Sequence, residues 1–417
     1  MIESEPARAS ARRRGLFGEP DFRRLWLVGL VMFAVRWLEM LVIGVFVYQR
    51  TGSPFLVALM TLLRLLPMGL FGVVLGALAE RLERRTALIL VIIVMLTNSL
   101  VLALLAHAGV LEVWHLAVTS FLNGIVWTTD NPVRRVMIGE VVGPAGMGAA
   151  MSIDVGANNA SRMLGPTIGG LLLVSIGIDG AFAVSVFCYL LALGAALRLR
   201  YRNSAPPSTI GGMLARMIEG LTLVRRDRRL IGTLVITVIY NVFGWPFTSM
   251  IPVIGQDSLH LSPQGIGILA SMEGVGAFCG AILVALFAKP ALYARLYIGG
   301  VLLYLAMLIV VAVIREPLWA GAALLMTGLS GAGFSIMQAT LVYLAAPPEM
   351  RSRLYGILSL CIGLGPLGFL HLGLLANWLG APSATLASGI EGLIMLALTH
   401  RLWRPLLSAP SEAETSG

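Results

Sequence analysis

The sequence predicts an all-α membrane protein of twelve transmembrane helices in two pseudo-symmetric six-helix halves, and three observations lead there. Of 417 residues, 58% are hydrophobic and only 12% charged, about half the charged share of a soluble domain. Apolar runs long enough to cross about 30 Å of hydrocarbon follow one another with short polar breaks. The arginines gather at alternate breaks, and only Arg50 and Arg315 fall in the others. That bias predicts a multi-pass protein of the plasma (inner) membrane with both termini cytoplasmic.

Residues 1–21 read as a cytoplasmic tail: Arg8, Arg12, Arg13 and Arg14 are present without a small-residue cleavage site. Residues 22–199 form the first half, with spans expected at about 24–48, 54–79, 86–107, 113–133, 148–174 and 180–199. Residues 200–229 link the halves around Pro206-Pro207. In that linker Ile210, Met213, Leu214, Met217, Ile218 and Leu221 recur at helical spacing, predicting an interfacial amphipathic helix. Residues 230–404 form the second half, with spans at about 230–254, 263–288, 292–314, 318–344, 354–379 and 384–403, and 405–417 are a second cytoplasmic tail. Ser53-Pro54 opens the second span as Ser262-Pro263 opens the eighth, and Pro132-Val133-Arg134-Arg135 answers Pro348-Glu349-Met350-Arg351. Gly165-Pro166 in the fifth span answers Gly365-Pro366 in the eleventh. Ordered matches of this kind imply a duplicated half with a substrate site between the copies.

Several function classes drop out. The basic residues sit at span ends rather than on one face, which argues against nucleic acid. The only lysine, Lys289, precedes Pro290 and cannot serve a phosphate-cradling loop. Cys188, Cys279 and Cys361 are far apart, and the five histidines lack metal-ligand spacing, so no metal site or cofactor is expected. No nucleophile constellation appears, so an enzyme is not expected.

The most specific stretch is Gly76-Ala77-Leu78-Ala79-Glu80-Arg81-Leu82-Glu83-Arg84-Arg85, a short charged turn between two apolar runs. It resembles the loop between the second and third helices of the major facilitator superfamily, with Glu80 and Glu83 standing where that pattern has Asp and Gly. A second stretch, Ser161-Arg162-Met163-Leu164-Gly165-Pro166-Thr167-Ile168-Gly169-Gly170, resembles the Gly-x-x-x-Gly-Pro-x-x-Gly-Gly motif of the superfamily's proton-coupled exporters, Ser161 replacing the first Gly. Glycines at that spacing let a neighbouring helix approach closely. With Asp130-Asn131-Pro132 and Arg134-Arg135 ending the fourth span, the chain looks most like the branch of siderophore (enterobactin-type) and macrolide exporters. The resemblance implies a gate of Gly76, Glu80, Arg81, Arg84, Arg85 and Asp130, with Asp130 pairing to Arg84, and an antiporter-like seam of Ser161, Gly165, Pro166, Gly169 and Gly170.

Ionisable residues inside the spans are expensive and must face a wet cavity or each other: Arg36, Glu39, Arg64, Asp154, Arg162, Glu273 and Glu391. Asp154, Asn158, Ser161, Arg162 and Gly165 fall on one helical face. Arg36 and Glu39, three apart, are spaced for an ion pair. A cavity of Arg36, Glu39, Arg64, Asn158, Arg162, Asn241 and Gln338 is expected. Glu273 has no basic neighbour in its own span, which makes it the first candidate to carry a proton, with Asp154 second. Three arginines against Glu39 and Asp154 leave the first half positive, which predicts an anionic or electron-rich substrate. The expected function is secondary active export of a small organic molecule (a drug, a siderophore-like compound or an acidic metabolite) by proton antiport and alternating access. The partners expected are that substrate, protons and the lipid bilayer, with the protein a monomer. An uptake or lipid-translocating facilitator, or a non-transporting sensor or assembly protein of the same fold, are the other readings.

Overall fold

The computed structural model describes residues 16–79, 83–201, 224, 227–346 and 350–407. Glu80, Arg81 and the amphipathic stretch of the linker lie outside these. Helix α1 is Pro20–Thr51, α2 Pro54–Ala79, α3 Arg84–His107 and α4 Val113–Leu197. The second half holds α5 Arg228–Ile239, α6 Ile251–Asp257, α7 Pro263–Phe287, α8 Tyr293–Val313, α9 Pro317–Ala345, α10 Arg351–Ile362, α11 Gly365–Leu379 and α12 Ala381–Leu398. Proline opens α1, α2, α7 and α9, where its missing N–H leaves no bond unmade. Ten helices among the described residues are long and apolar enough to cross a membrane.

The count reaches twelve spans because α4 holds three. Its backbone leaves helical geometry at Gly143 (φ 72°, ψ 174°) and Gly177 (φ 72°, ψ −177°), conformations that only glycine adopts without cost. Arg134 and Asp154 form an ion pair, although twenty residues of straight helix would hold them about 30 Å apart, so the chain folds back at Gly143. Gly169 and Ala181 likewise both pack on Leu38 and Val42 of α1, which requires a second reversal at Gly177. The fourth span therefore continues past residue 133, the expected end, because Arg134 and Arg135 find Asp154 inside the bundle.

The seventh span is broken. Between α5 and α6 it passes through a π-helical turn, Tyr240–Gly244, and a 3-10 turn, Trp245–Met250, where Pro246 lacks the N–H that an α-helix would use. The eleventh span breaks at Gly363-Leu364, between α10 and α11. The fifth span stays helical through Pro166, so the repeated Gly-Pro pairs do not produce the same local structure.

The halves meet at the end of the bundle remote from the termini. Tyr48 of α1 donates its hydroxyl to Asp257 of α6. A Cβ on Gly44 would stand 3.3 Å from Pro252 Cγ, and one on Gly373 would stand 2.8 Å from Ala58 Cβ. Gly170 of the fifth span abuts the Pro263 and Gln264 backbone of α7.

Candidate functional site

Beneath that seal lies a cavity of about 1070 Å³, its open mouth included. The first, second, fourth and fifth spans wall it on one side, and the seventh and eighth on the other. Its surface is mostly apolar, with Trp37, Trp127 and Trp245 among the lining side chains. Four charged residues reach it: Arg36, Arg64, Arg162 and Glu273.

Arg162 and Glu273 bridge the halves. The guanidinium donates from Nε to Oε2 at 3.0 Å and from Nη2 to Oε1, a two-pronged geometry that suits a carboxylate. Trp37 lies 5.4 Å from the guanidinium carbon. As expected, no basic residue stands beside Glu273 in its own helix, but one reaches it from the opposite half.

Arg36 and Glu39 do not pair. Arg36 faces the cavity with its guanidinium carbon 3.7 Å from the Trp127 ring centre. Glu39 is fully buried just past the edge of the cavity and accepts from Ser99 Oγ at 2.9 Å. It does not line the cavity. Arg64 does, and its Nη2 reaches the Arg36 carbonyl oxygen at 3.4 Å.

Asp154 and Asp130 belong to a separate buried cluster. Arg134, wholly buried, pairs with Asp154, and its Nε stands 3.8 Å from Asp130; Arg135 donates to Asp154 at 3.2 Å. A Cβ on Gly29 would collide with the Arg134 guanidinium, so α1 needs glycine there. The expected Asp130–Arg84 pair does not form: Arg84 binds Glu140 and the Tyr201 hydroxyl (2.9 Å) instead. Breaking a buried pair strands its partner at a cost of about 3 kcal/mol or more. Asp154→Asn should therefore lower the unfolding temperature in detergent markedly, whereas Arg135→Gln, at a half-exposed member, should cost about 1 kcal/mol or less. Equal stability of both variants with the wild type would exclude the clamp.

A family model described as "transmembrane secretion effector" matches residues 16–415. The chain belongs to that family, within the major facilitator superfamily. It is similar to macrolide efflux protein A of Streptococcus pyogenes, at 22% identity over 88% of this chain and 92% of the relative. Multidrug efflux pump Tap of Mycolicibacterium fortuitum is 25% identical over 88% and 90%. In fold it matches an inward-facing bacterial homolog of the human lysosomal transporter Spinster, with a TM-score of 0.70 at 16% identity over 98% of this chain and all of that one. The protein is a multi-pass secondary transporter for small molecules, not an enzyme.

In this transporter the fifth-span glycines are contact points. A Cβ on Gly165 would stand 2.6 Å from Trp37 Cβ, and one on Gly169 would stand 2.9 Å from the Leu38 carbonyl oxygen. Gly170 and Pro166 face α7 of the other half, the Pro166 carbonyl oxygen resting against Gly267. Ser161 is buried in the same span. Asn158 accepts from Trp37 Nε1 at 3.3 Å, behind the cavity wall. Asn241 and Gln338 do not line the cavity as expected. Asn241 donates to the Thr237 carbonyl oxygen at 2.8 Å and Gln338 to Thr237 Oγ1 at 3.0 Å, inside the second half. Glu391 pairs with His371 at 2.7 Å, away from the cavity. Of the expected gate, Arg85 reaches the Leu197 carbonyl oxygen at 2.7 Å, and Gly76 lies in α2. The Tyr48–Asp257 contact was not foreseen.

Proposed function

We propose that this protein is a plasma-membrane exporter that moves a small organic molecule outward by alternating access, as a monomer, in exchange for protons. The observation that carries this reading is the Arg162–Glu273 bridge across the cavity. The arginine bias supports cytoplasmic termini, which makes the sealed end external and this conformation inward-facing. Opening the outer end moves the fifth span away from α7 and separates the pair. Glu273, stripped of its cation in a low-dielectric site, then takes a proton from outside. Closure returns Arg162, which displaces the proton toward the cytoplasm. The proton moves inward while the cargo moves outward. The relatives named for macrolide and multidrug efflux make erythromycin and fluorescent dyes sensible first cargoes. Everted vesicles containing the protein should accumulate at least one of erythromycin, ethidium or fluorescein when their lumen is acidified, about fivefold or more above control vesicles. Accumulation that ignores the pH gradient would remove the exchange, and none for any compound would remove the export reading.

A further inference from the structure

Arg36 and Arg64 stand side by side on the cavity wall, and neither has a carboxylate within ion-pair distance among the described residues. A guanidinium carries a planar fork of N–H donors and accepts nothing. Of the donors on both forks, the one engaged with a protein acceptor is Arg64 Nη2, on the Arg36 carbonyl oxygen at 3.4 Å. Arg64 Nε is buried without a partner. The carboxylates whose charge reaches them, Asp130 for Arg36 and Glu39 for Arg64, are both buried and neither lines the cavity, so they balance charge without occupying the donors on the cavity wall. Trp127 holds the Arg36 plane from one face at 3.7 Å, leaving the N–H edges to the cavity. The third arginine, Arg162, is engaged with Glu273, and that same bond withholds Glu273 from a cation. Trp37, Trp245, Met40 and Met60 continue the wall as apolar surface.

We propose that Arg36 and Arg64 form the head-group subsite for an amphipathic organic anion, a carboxylate-bearing molecule whose aromatic or aliphatic body lies against Trp37 and Trp245. The inference rests on the cavity being the transport site. Two neighbouring guanidinium groups on one wall of the cavity suit the two oxygens of a carboxylate, and the apolar wall receives the rest of the molecule. A small inorganic anion satisfies the arginines but leaves the tryptophans uncovered.

The test is binding by the purified full-length protein, read as the fluorescence anisotropy of fluorescein, an aromatic carboxylate, and of ethidium, an aromatic cation. Fluorescein should bind, and Arg36→Gln or Arg64→Gln should weaken it by about tenfold or more. Arg36→Lys and Arg64→Lys, which keep the charge but lose the fork, should recover part of the affinity, separating charge from misfolding. Ethidium should bind more weakly and respond to none of these changes. No fluorescein binding, equal binding by wild type and both Gln variants, or displacement by inorganic phosphate at equimolar concentration would each overturn the subsite. Transport in proteoliposomes separates this inference from its premise. Fluorescein bound through Arg36 and Arg64 but not moved, with erythromycin and ethidium not moved either, would leave the subsite standing and remove the export reading. Fluorescein moved equally by all variants would do the reverse.

Discussion

Glu273→Gln is expected to abolish proton-driven accumulation while leaving a folded protein that still exchanges cargo across the membrane. The amide has nearly the shape of the carboxylate, so α7 keeps its packing. It loses the charge that Arg162 engages with two prongs, and it cannot take a proton when the outer end opens. Losing one partner of this part-buried, charge-assisted pair costs about 1.5–3 kcal/mol, roughly ten- to a hundredfold against the outer-sealed state that the pair holds. The variant should therefore rest outward-open. If the proposed exchange operates through Glu273, the wild type should gain outward-open molecules when the outside is acidified, and the variant should show no such response. Cargo exchange without a pH gradient is the control that the cavity survives. Full pH-driven accumulation by Glu273→Gln protein would assign the proton to another group.

The helices and their duplication were legible in the sequence because the signals are local: apolar length, proline at helix starts, arginine at alternate breaks; the glycines that make the reversals, Gly143 and Gly177, were not read from it. The seam glycines were legible for a related reason, since a missing Cβ permits close approach whatever the partner. Partners were less accessible. Arg36 and Glu39 lie about 60° apart on a helical wheel, and the edge of the cavity falls between them, so spacing suited to a pair became two environments. Arg162 and Glu273 are 111 residues apart, and nothing within either helix indicates the other. Asn241 and Gln338 are polar residues in apolar spans, but an amide is satisfied equally by cavity water or by Thr237. Tyr48 and Asp257 resemble ordinary span-end residues. The repeat places the ends of the first and seventh spans at one height, and that relation was the available signal for their contact.

Gly267→Val is expected to lock the transporter open at its outer end. Along the seam between the fifth span and α7, backbone meets backbone. A Cβ on Gly267 would overlap the Pro166 carbonyl oxygen and stand 3.2 Å from Thr167 Cα; one on Gly274 would stand 2.8 Å from the Arg162 carbonyl oxygen. Thr167 and Ser271 clasp the same seam through a 2.7 Å hydroxyl contact. The seam joins two halves rather than two helices of one half, so a larger side chain obstructs a conformation instead of a fold. Valine at residue 267 must push helical backbone aside to seal the outer end, and overpacking against backbone costs about 3 kcal/mol, roughly a hundredfold in the sealed fraction. Gly170→Val, against Pro263 and Gln264, should act the same way. Gly124→Val is the contrast: its Cβ would meet the Arg64 carbonyl within the first half, so it should misfold rather than lock. With the native cysteines replaced by serine and a cysteine placed at Ser249 on the cavity wall, a membrane-impermeant maleimide added outside should label Gly267→Val protein far faster than the unsubstituted background, while transport stops. A monodisperse Gly267→Val protein that labels slowly and still transports would show that the outer end closes without this seam.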